Sequence, residues 1–223
     1  MLAQCRMRAA RLLRAHRTRN AHAPQKTYLY IMAAASYFAD QTFENQDFTE
    51  VSWAAGEYEG CTFVGCNLER VDWSGSQFAD CTFRDCNASL AILHRTSFQD
   101  VQFERCKLLG LRWEHVNPIG LALSFRNCTL DHTSWYQMRL KKTRFDGSSL
   151  VEADFTEADL TEANFSDTNL TRATFDHTVL ERADLRTADG FSMDPQRNKL
   201  TGARFTLSGL PGLLDAHQLR IEP

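Results

Sequence analysis

The sequence predicts an all-β chain wound as a solenoid of stacked square coils, and three observations carry that prediction. Large apolar residues recur at every fifth position, a period that suits neither a helix, at three and four, nor a strand, at two. In "ADFTEADLTEANFSDTNLTRATF" they are Phe155, Leu160, Phe165, Leu170 and Phe175. The residue two places before each centre is small: Ala153, Ala158, Ala163, Thr168 and Ala173 here, and Cys61, Cys66, Val71, Ser76, Cys81 and Cys86 upstream. Residues twenty apart are chemically alike, as Phe43, Phe63, Phe83 and Phe103 show. One large and one small inward residue in five describe a short straight side ending in a corner. Four such sides close a coil of about twenty residues.

The chain begins with a leader, taken as residues 1–31, that stands apart from the repeat. Arg6, Arg8, Arg11, Arg14, Arg17, Arg19 and Lys26 fall there without one acid. The formal net charge of −3 therefore hides an asymmetry: beyond the leader, 18 bases face 28 acids, a balance of −10. An Arg-rich, acid-free stretch fits an organellar targeting peptide, a nucleic-acid-binding tail, or poorly ordered sequence upstream of a start at Met32. The longest apolar run, Thr27 to Phe38, falls short of the roughly 18 residues a membrane span needs. A soluble chain is expected.

The repeat body is assigned to residues 32–189. Upstream centres run by fives from Phe38 to Trp113, and downstream centres from Phe125 to Leu185, giving roughly 29 units and about seven coils. All four tryptophans, Trp53, Trp73, Trp113 and Trp135, sit at centres. At a ladder spacing of about 4.8 Å the rod would be roughly 34 Å long. The two phases differ by two residues, and the slip falls in "EHVNPIGLALSF", near 114–124. A bulge there lets Phe125 inherit the column of Phe103, Leu130 that of Leu108 and Trp135 that of Trp113. One continuous solenoid follows, rather than two domains.

Residues 190–223 form a C-terminal capping module. The repeat returns at Leu200 and Phe205, and "TLSGLPGLLDAHQLRIEP" predicts a short helix with Ser208 as N-cap and Pro211 in its first turn. Leu210, Leu213 and Leu214 share one face of it, with Leu219 and Ile221 beyond. A solenoid end must be covered, so this module seals the coil, pairs with a copy of itself, or does both.

Catalytic and metal chemistry are not expected. Six of the seven cysteines, Cys61, Cys66, Cys81, Cys86, Cys106 and Cys128, occupy the small inward position, so their spacing is the repeat's and not a zinc site's. They are expected to be filler, with Cys66, Cys86 and Cys106 in one column, and unbridged thiols fit a reducing cytoplasm. No Gly-rich phosphate loop, nucleophile elbow or zinc-binding His pair occurs, and no cofactor is expected. What remains is the surface. Asp40, Glu57, Glu59, Asp80 and Asp100 fall on one side of the upstream coils, and Glu152, Asp154, Glu157, Asp159, Glu162 and Asp167 make a base-free acidic run. Two readings stay open: a solvated face, or an acidic rod that imitates the phosphate rails of duplex DNA. Arg139, Lys141, Lys142 and Arg144 interrupt it.

"ADFTEADLTEANF" resembles the A(D/N)LXX pattern of the pentapeptide repeat family, over about Phe38 to Phe205. The resemblance implies a right-handed quadrilateral β-helix. The slip after "CKLLGLRW", the return at "SFRNC" and the ending from "MDPQRNKL" are similar to the gyrase-protecting branch, of the Qnr, MfpA and AlbG types, with AlbG nearest in plan. That branch implies a non-enzymatic homodimer joined through the C-terminal module, here Phe191, Leu210, Leu213, Leu214, Leu219 and Ile221. It also implies that DNA gyrase is the partner, bound by the acidic surface and protected from an inhibitor. The repeat body itself is expected to bind no nucleic acid and no membrane. An interaction scaffold with an unrelated partner is the alternative. The long loops of many Qnr-type proteins are missing, and the basic leader has no counterpart in the branch.

Overall fold

The computed structural model describes residues 37–50, 53 and 55–217. The basic leader, Met32, Leu219 and Ile221 lie outside the described residues. Among those described, no helix is long and apolar enough to cross a membrane.

The chain turns a corner every five residues, and each side stacks on the same side of the next coil. On the first side, β1 (Tyr37–Ala39), β3 (Glu57–Glu59), β5 (Gln77–Ala79) and β7 (Ser97–Gln99) form a parallel four-stranded sheet in the order β1-β3-β5-β7. On the second, β2 (Thr42–Glu44), β4 (Thr62–Val64), β6 (Thr82–Arg84), β8 (Val101–Glu104), β9 (Leu123–Arg126) and β10 (Arg144–Asp146) form a parallel six-stranded sheet. The third and fourth sides touch through single parallel bridges, such as Asn67 with Asn87 and Asp154 with Thr174.

Most corners take a left-handed residue two places after the centre. Asp40 (φ 51), Arg70 (φ 56), Leu90 (φ 59) and Glu152 (φ 56) take it alongside Gly60 and Gly65. For a residue with a Cβ this costs about 1–2 kcal/mol. The ladder offsets it, because the corner amide donates to the next coil: Asp80 N–H to Gln99 O at 2.9 Å, Glu152 N–H to Thr171 O at 3.0 Å. The Asp or Asn just before a centre has its own task. Asp154 Oδ1 accepts from Thr156 N–H at 2.9 Å and from its hydroxyl at 2.6 Å, and Asn164 serves Ser166 in the same way. This is an Asx turn, and it explains why A(D/N)LXX wants that residue.

The interior is built of columns. Phe43, Phe63, Phe83 and Phe103 stack with centroids 4.8, 4.6 and 4.9 Å apart and ring planes within 16°. Phe103 continues onto Phe125 at 5.5 Å and Trp113 onto Trp135 at 5.0 Å. The bulge therefore joins two phases into one core, with Val101–Glu104 in register with Leu123–Arg126. Its extra residues leave on the first side, between Asn117 N–H, bonded to Thr96 O at 2.8 Å, and Ala122 N–H, bonded to Phe98 O at 3.1 Å. Ile119 at its tip is 75% exposed.

The six described cysteines are free and buried. They are more than apolar filler, because each thiol faces a carbonyl of the preceding coil: Cys66 Sγ to Phe43 O at 3.3 Å, Cys106 Sγ to Phe83 O at 3.3 Å, Cys128 Sγ to Phe103 O at 3.4 Å. Thr168 Oγ1 makes the equivalent bond to Phe145 O at 2.8 Å. A neighbouring thiol and burial together hold Cys66, Cys81 and Cys106 well above the ordinary thiol value. These thiols stay protonated and donate.

One core position shows a correctable fault. Trp135 Nε1 donates to Thr133 Oγ1 at 2.9 Å, and that hydroxyl donates to Leu130 O at 2.6 Å. Trp73 occupies the matching centre on the same side, but Val71 stands where Thr133 would, and the buried Trp73 Nε1 has no partner among the described residues. A Val→Thr change in a core ordinarily destabilises, since it buries a hydroxyl. Val71→Thr is expected instead to be neutral or to stabilise by about 1 kcal/mol, by satisfying that N–H. Urea unfolding checks it, with a loss above about 1 kcal/mol counting against the geometry.

At the C-terminal end, Leu207–Gly209 form a 3-10 turn, Pro211–Leu214 a single helical turn, α1, and Asp215–His217 a further 3-10 turn. The expected N-cap does not form. Ser208 lies inside the first 3-10 turn, and Leu210, before Pro211, is already right-handed helical (φ −59, ψ −34). A cap residue needs extended backbone, and the preceding turn removes it.

Candidate functional site

The described surface has one stretch of a single charge sign. Asp40, Asp80 and Asp100 occupy the same corner on successive coils, with Gly60 between the first two, and Glu57 and Glu59 flank Tyr58 on β3. The other residues beside the centres of these strands are Tyr37, Ala39, Gln77, Ala79, Ser97 and Gln99, so no base shares this upstream stretch, and Arg139, Lys141 and Lys142 stand on the same side only beyond the bulge. The Asp40, Asp80 and Asp100 carboxylates are exposed and make no ion pair or side-chain hydrogen bond among the described residues. Glu59 Oε2 accepts from the Tyr37 hydroxyl at 2.6 Å. The next side is balanced instead, by Arg84 with Glu104 at 3.0 Å and Arg105 with Asp85 at 2.7 Å.

The downstream acids are arranged otherwise. Glu152, Glu157, Glu162 and Asp167 occupy successive corners, so they circle the coil rather than lining one side. Most face a partner twenty residues away. Glu152 pairs with His132 at 3.1 Å and with Arg172. Glu162 pairs with Arg182 at 2.9 Å and Lys142 at 3.7 Å, and Glu157 accepts from Gln137 at 2.7 Å. Asp154 and Asp159 close Asx turns, and Asp159 also meets Lys141 at 3.2 Å. The acidic run in sequence is thus a set of local pairs in space. The signal was present in the sequence, in the same step of twenty that found the columns.

These pairs carry a pH dependence. The Arg105 guanidinium holds Asp85 below the usual carboxylate range, Arg84 does the same for Glu104, Arg182 for Glu162 and Arg186 for Asp184. At Asp159 burial opposes ionisation, but Thr161 and Lys141 outweigh it. A depressed folded-state pKa gives stability that is present above the unfolded value, about 4, and lost as pH falls through the folded values. The urea midpoint is expected to stay level from pH 7 to about 5 and to drop only below about 4. A fall between pH 7 and 5 would contradict these assignments.

Two features went unread in the sequence. Leu90 (46% exposed, at a left-handed corner) and Ile92 (51%) make an apolar spot where the third side meets the fourth. On the first side, a cleft of about 210 Å³ opens between the bulge and the next coil, lined by Leu121, Leu123, Arg139, Leu140, Lys141 and Lys142. Among the described residues no group of His, Cys, Asp and Glu is placed to hold a metal ion.

The cap distributes its apolar residues unevenly. Phe191 is buried against Phe205, with centroids 5.6 Å apart, and against Gly212, whose backbone leaves no room for a Cβ beside Phe191 O. Met193 N–H donates to Gly212 O at 2.9 Å, tying the cap to the last coil. Leu213 packs on the core and Leu214 is partly covered, whereas Leu210 (40%) and Leu207 (86%) face out.

A family model described as pentapeptide repeats matches residues 148–186 with 8 copies, and one described as a pentapeptide repeat region matches 57–118. No curated protein matches the chain. Among solved structures, HetL, a pentapeptide repeat protein involved in heterocyst differentiation regulation in Nostoc sp. strain PCC 7120, superposes with a TM-score of 0.63 at 18% identity. That match covers 84% of this chain and 96% of HetL. A trypsin-treated variant of QnrB1, a plasmid-mediated fluoroquinolone resistance protein, gives a TM-score of 0.55 at 14% identity, covering 82% of this chain and 99% of QnrB1. At these identities the likeness establishes the fold.

Proposed function

We propose that this chain, a pentapeptide repeat protein, is a non-enzymatic DNA mimic that binds DNA gyrase or a related type II topoisomerase and protects it from an inhibitor. The observation that carries the reading is the one-signed upstream stretch of the first side. Asp40, Glu57, Glu59, Asp80 and Asp100 lie over three ladder steps, about 14 Å, where duplex DNA carries about eight charges. That is more than half the duplex density, on a rigid support that loses little entropy on docking. In this reading the surface is the upstream half of the rod, narrower than the full acidic set, because the downstream acids are mostly paired. The repeat pattern resembles the gyrase-protecting branch, and QnrB1, a fluoroquinolone resistance protein, shares the fold.

The chain acts in the cytoplasm in this reading, as a homodimer joined through the cap, where Leu207 and Leu210 supply exposed apolar surface beside Leu213 and Leu214. A scaffold with an unrelated partner is the second reading. The exposed Leu90 and Ile92, away from the acidic side, favour it. A supercoiling assay with purified gyrase, with and without a fluoroquinolone, separates the two. The first reading expects inhibition of supercoiling, or rescue from the drug, at micromolar protein. Neither effect leaves the scaffold.

A further inference from the structure

The cleft under the bulge is a break in the ladder. At an ordinary level three backbone bonds join one coil to the last: Asp154 N–H to Thr133 O (2.9 Å), Trp135 N–H to Asp154 O (2.8 Å) and Gln137 N–H to Thr156 O (3.0 Å). At the level of Leu140 the bonds toward the following coil are complete: Leu140 N–H to Asp159 O (2.7 Å), Lys142 N–H to Thr161 O (2.9 Å) and Asp159 N–H to Met138 O (2.8 Å). Toward the bulge none forms. Arg139 N–H, Arg139 C=O and Lys141 C=O have no backbone partner among the described residues. The chain that would have met them, residues 118–121, is drawn into the bulge. What is left is an exposed strand edge in the middle of the rod.

We propose that this edge binds an extended acidic peptide of a partner protein, added as a strand. The unpaired N–H and two carbonyls offer main-chain hydrogen bonds, which give affinity in strand addition, while alternate side chains give specificity. The neighbours define that alternation. Arg139 and Lys141 point outward and Leu140 inward, buried. A strand beside them presents acid, apolar, acid. Its apolar residue enters the 210 Å³ cleft against Leu121, Leu123 and Leu140. Charge favours the acids: among the described residues Arg139 has no ion pair, and Lys141 and Lys142 meet only Asp159 and Glu162, on the coil away from the edge. Asp100 before the bulge and those two acids after it disfavour a long nucleic-acid backbone. The site is independent of the gyrase reading and stands or falls separately.

The test uses the full chain and a capped peptide of alternating Glu and Val, followed by anisotropy and by the amide resonances of residues 139–142. Binding that shifts Arg139 and Lys141 is expected. Methylating alternate peptide nitrogens, which removes the main-chain donors, should weaken it at least about tenfold, as should Arg139→Glu with Lys141→Glu in a chain of unchanged circular dichroism. Equal binding by the methylated peptide would reduce the site to charge attraction and overturn strand addition. Absence of binding at millimolar peptide, or tighter binding of a short oligothymidylate at the same amides, would overturn the peptide as occupant.

Discussion

Phe83→Ala is expected to destabilise the rod by about 3–5 kcal/mol, a large share of the total for a chain of this size. Phe83 is fully buried, stacked between Phe63 at 4.6 Å and Phe103 at 4.9 Å, and touches Trp73 and Phe78, each at 5.5 Å. The cost should sit at the upper end for this kind of change, because the walls cannot close on the cavity. β6 is hydrogen-bonded to β4 on one side and β8 on the other, in fixed register. Phe205→Ala, at a half-exposed position in the last coil, should cost markedly less. Urea unfolding followed by circular dichroism reads both, and a Phe83→Ala loss under about 1 kcal/mol would refute the stacked-column core.

Reversing two charges on the acidic side should be the most damaging change to function. Asp80→Lys with Asp100→Lys takes its five carboxylates from −5 to −1. Neither carboxylate carries a fold contact among the described residues, and Lys142 already occupies this corner with φ 61, so the fold tolerates the change. Steered association with a DNA-binding groove should weaken by about 10–100-fold at low salt. The gap should narrow at 1 M salt, where the screening length is about 3 Å. The matched reversal of Glu157 and Asp167, on the circling downstream set, should change affinity by less than about threefold. Equal effects from both pairs would mean that net charge, not the first side, sets binding.

Much of this was legible because a repeat converts sequence into geometry at a fixed step. The five-residue period placed Phe155 and Leu160 inside, the step of twenty stacked Phe43 on Phe63, and the two-residue slip carried Phe103 onto Phe125. The partners of the acidic run went unread because they stand a full coil away, on whichever side each quintet faces. Glu152, Glu157 and Glu162 are near in sequence and divergent in space, while Glu162 and Arg182 are adjacent across one coil. The jobs of Asp154 and Asp159 were hidden because an Asx turn and an exposed carboxylate look alike in a sequence. The open edge at Arg139 was out of reach. It depends on which side the bulge leaves, and Pro118 and Gly120 mark a turn without giving its direction.

The most direct measurement is displacement of a fluorescent DNA duplex from gyrase by the unmodified chain. The account predicts competitive displacement that weakens steeply with salt and is lost in the Asp80→Lys, Asp100→Lys chain. Duplex that stays bound at saturating protein, or is displaced equally by both chains, would contradict it.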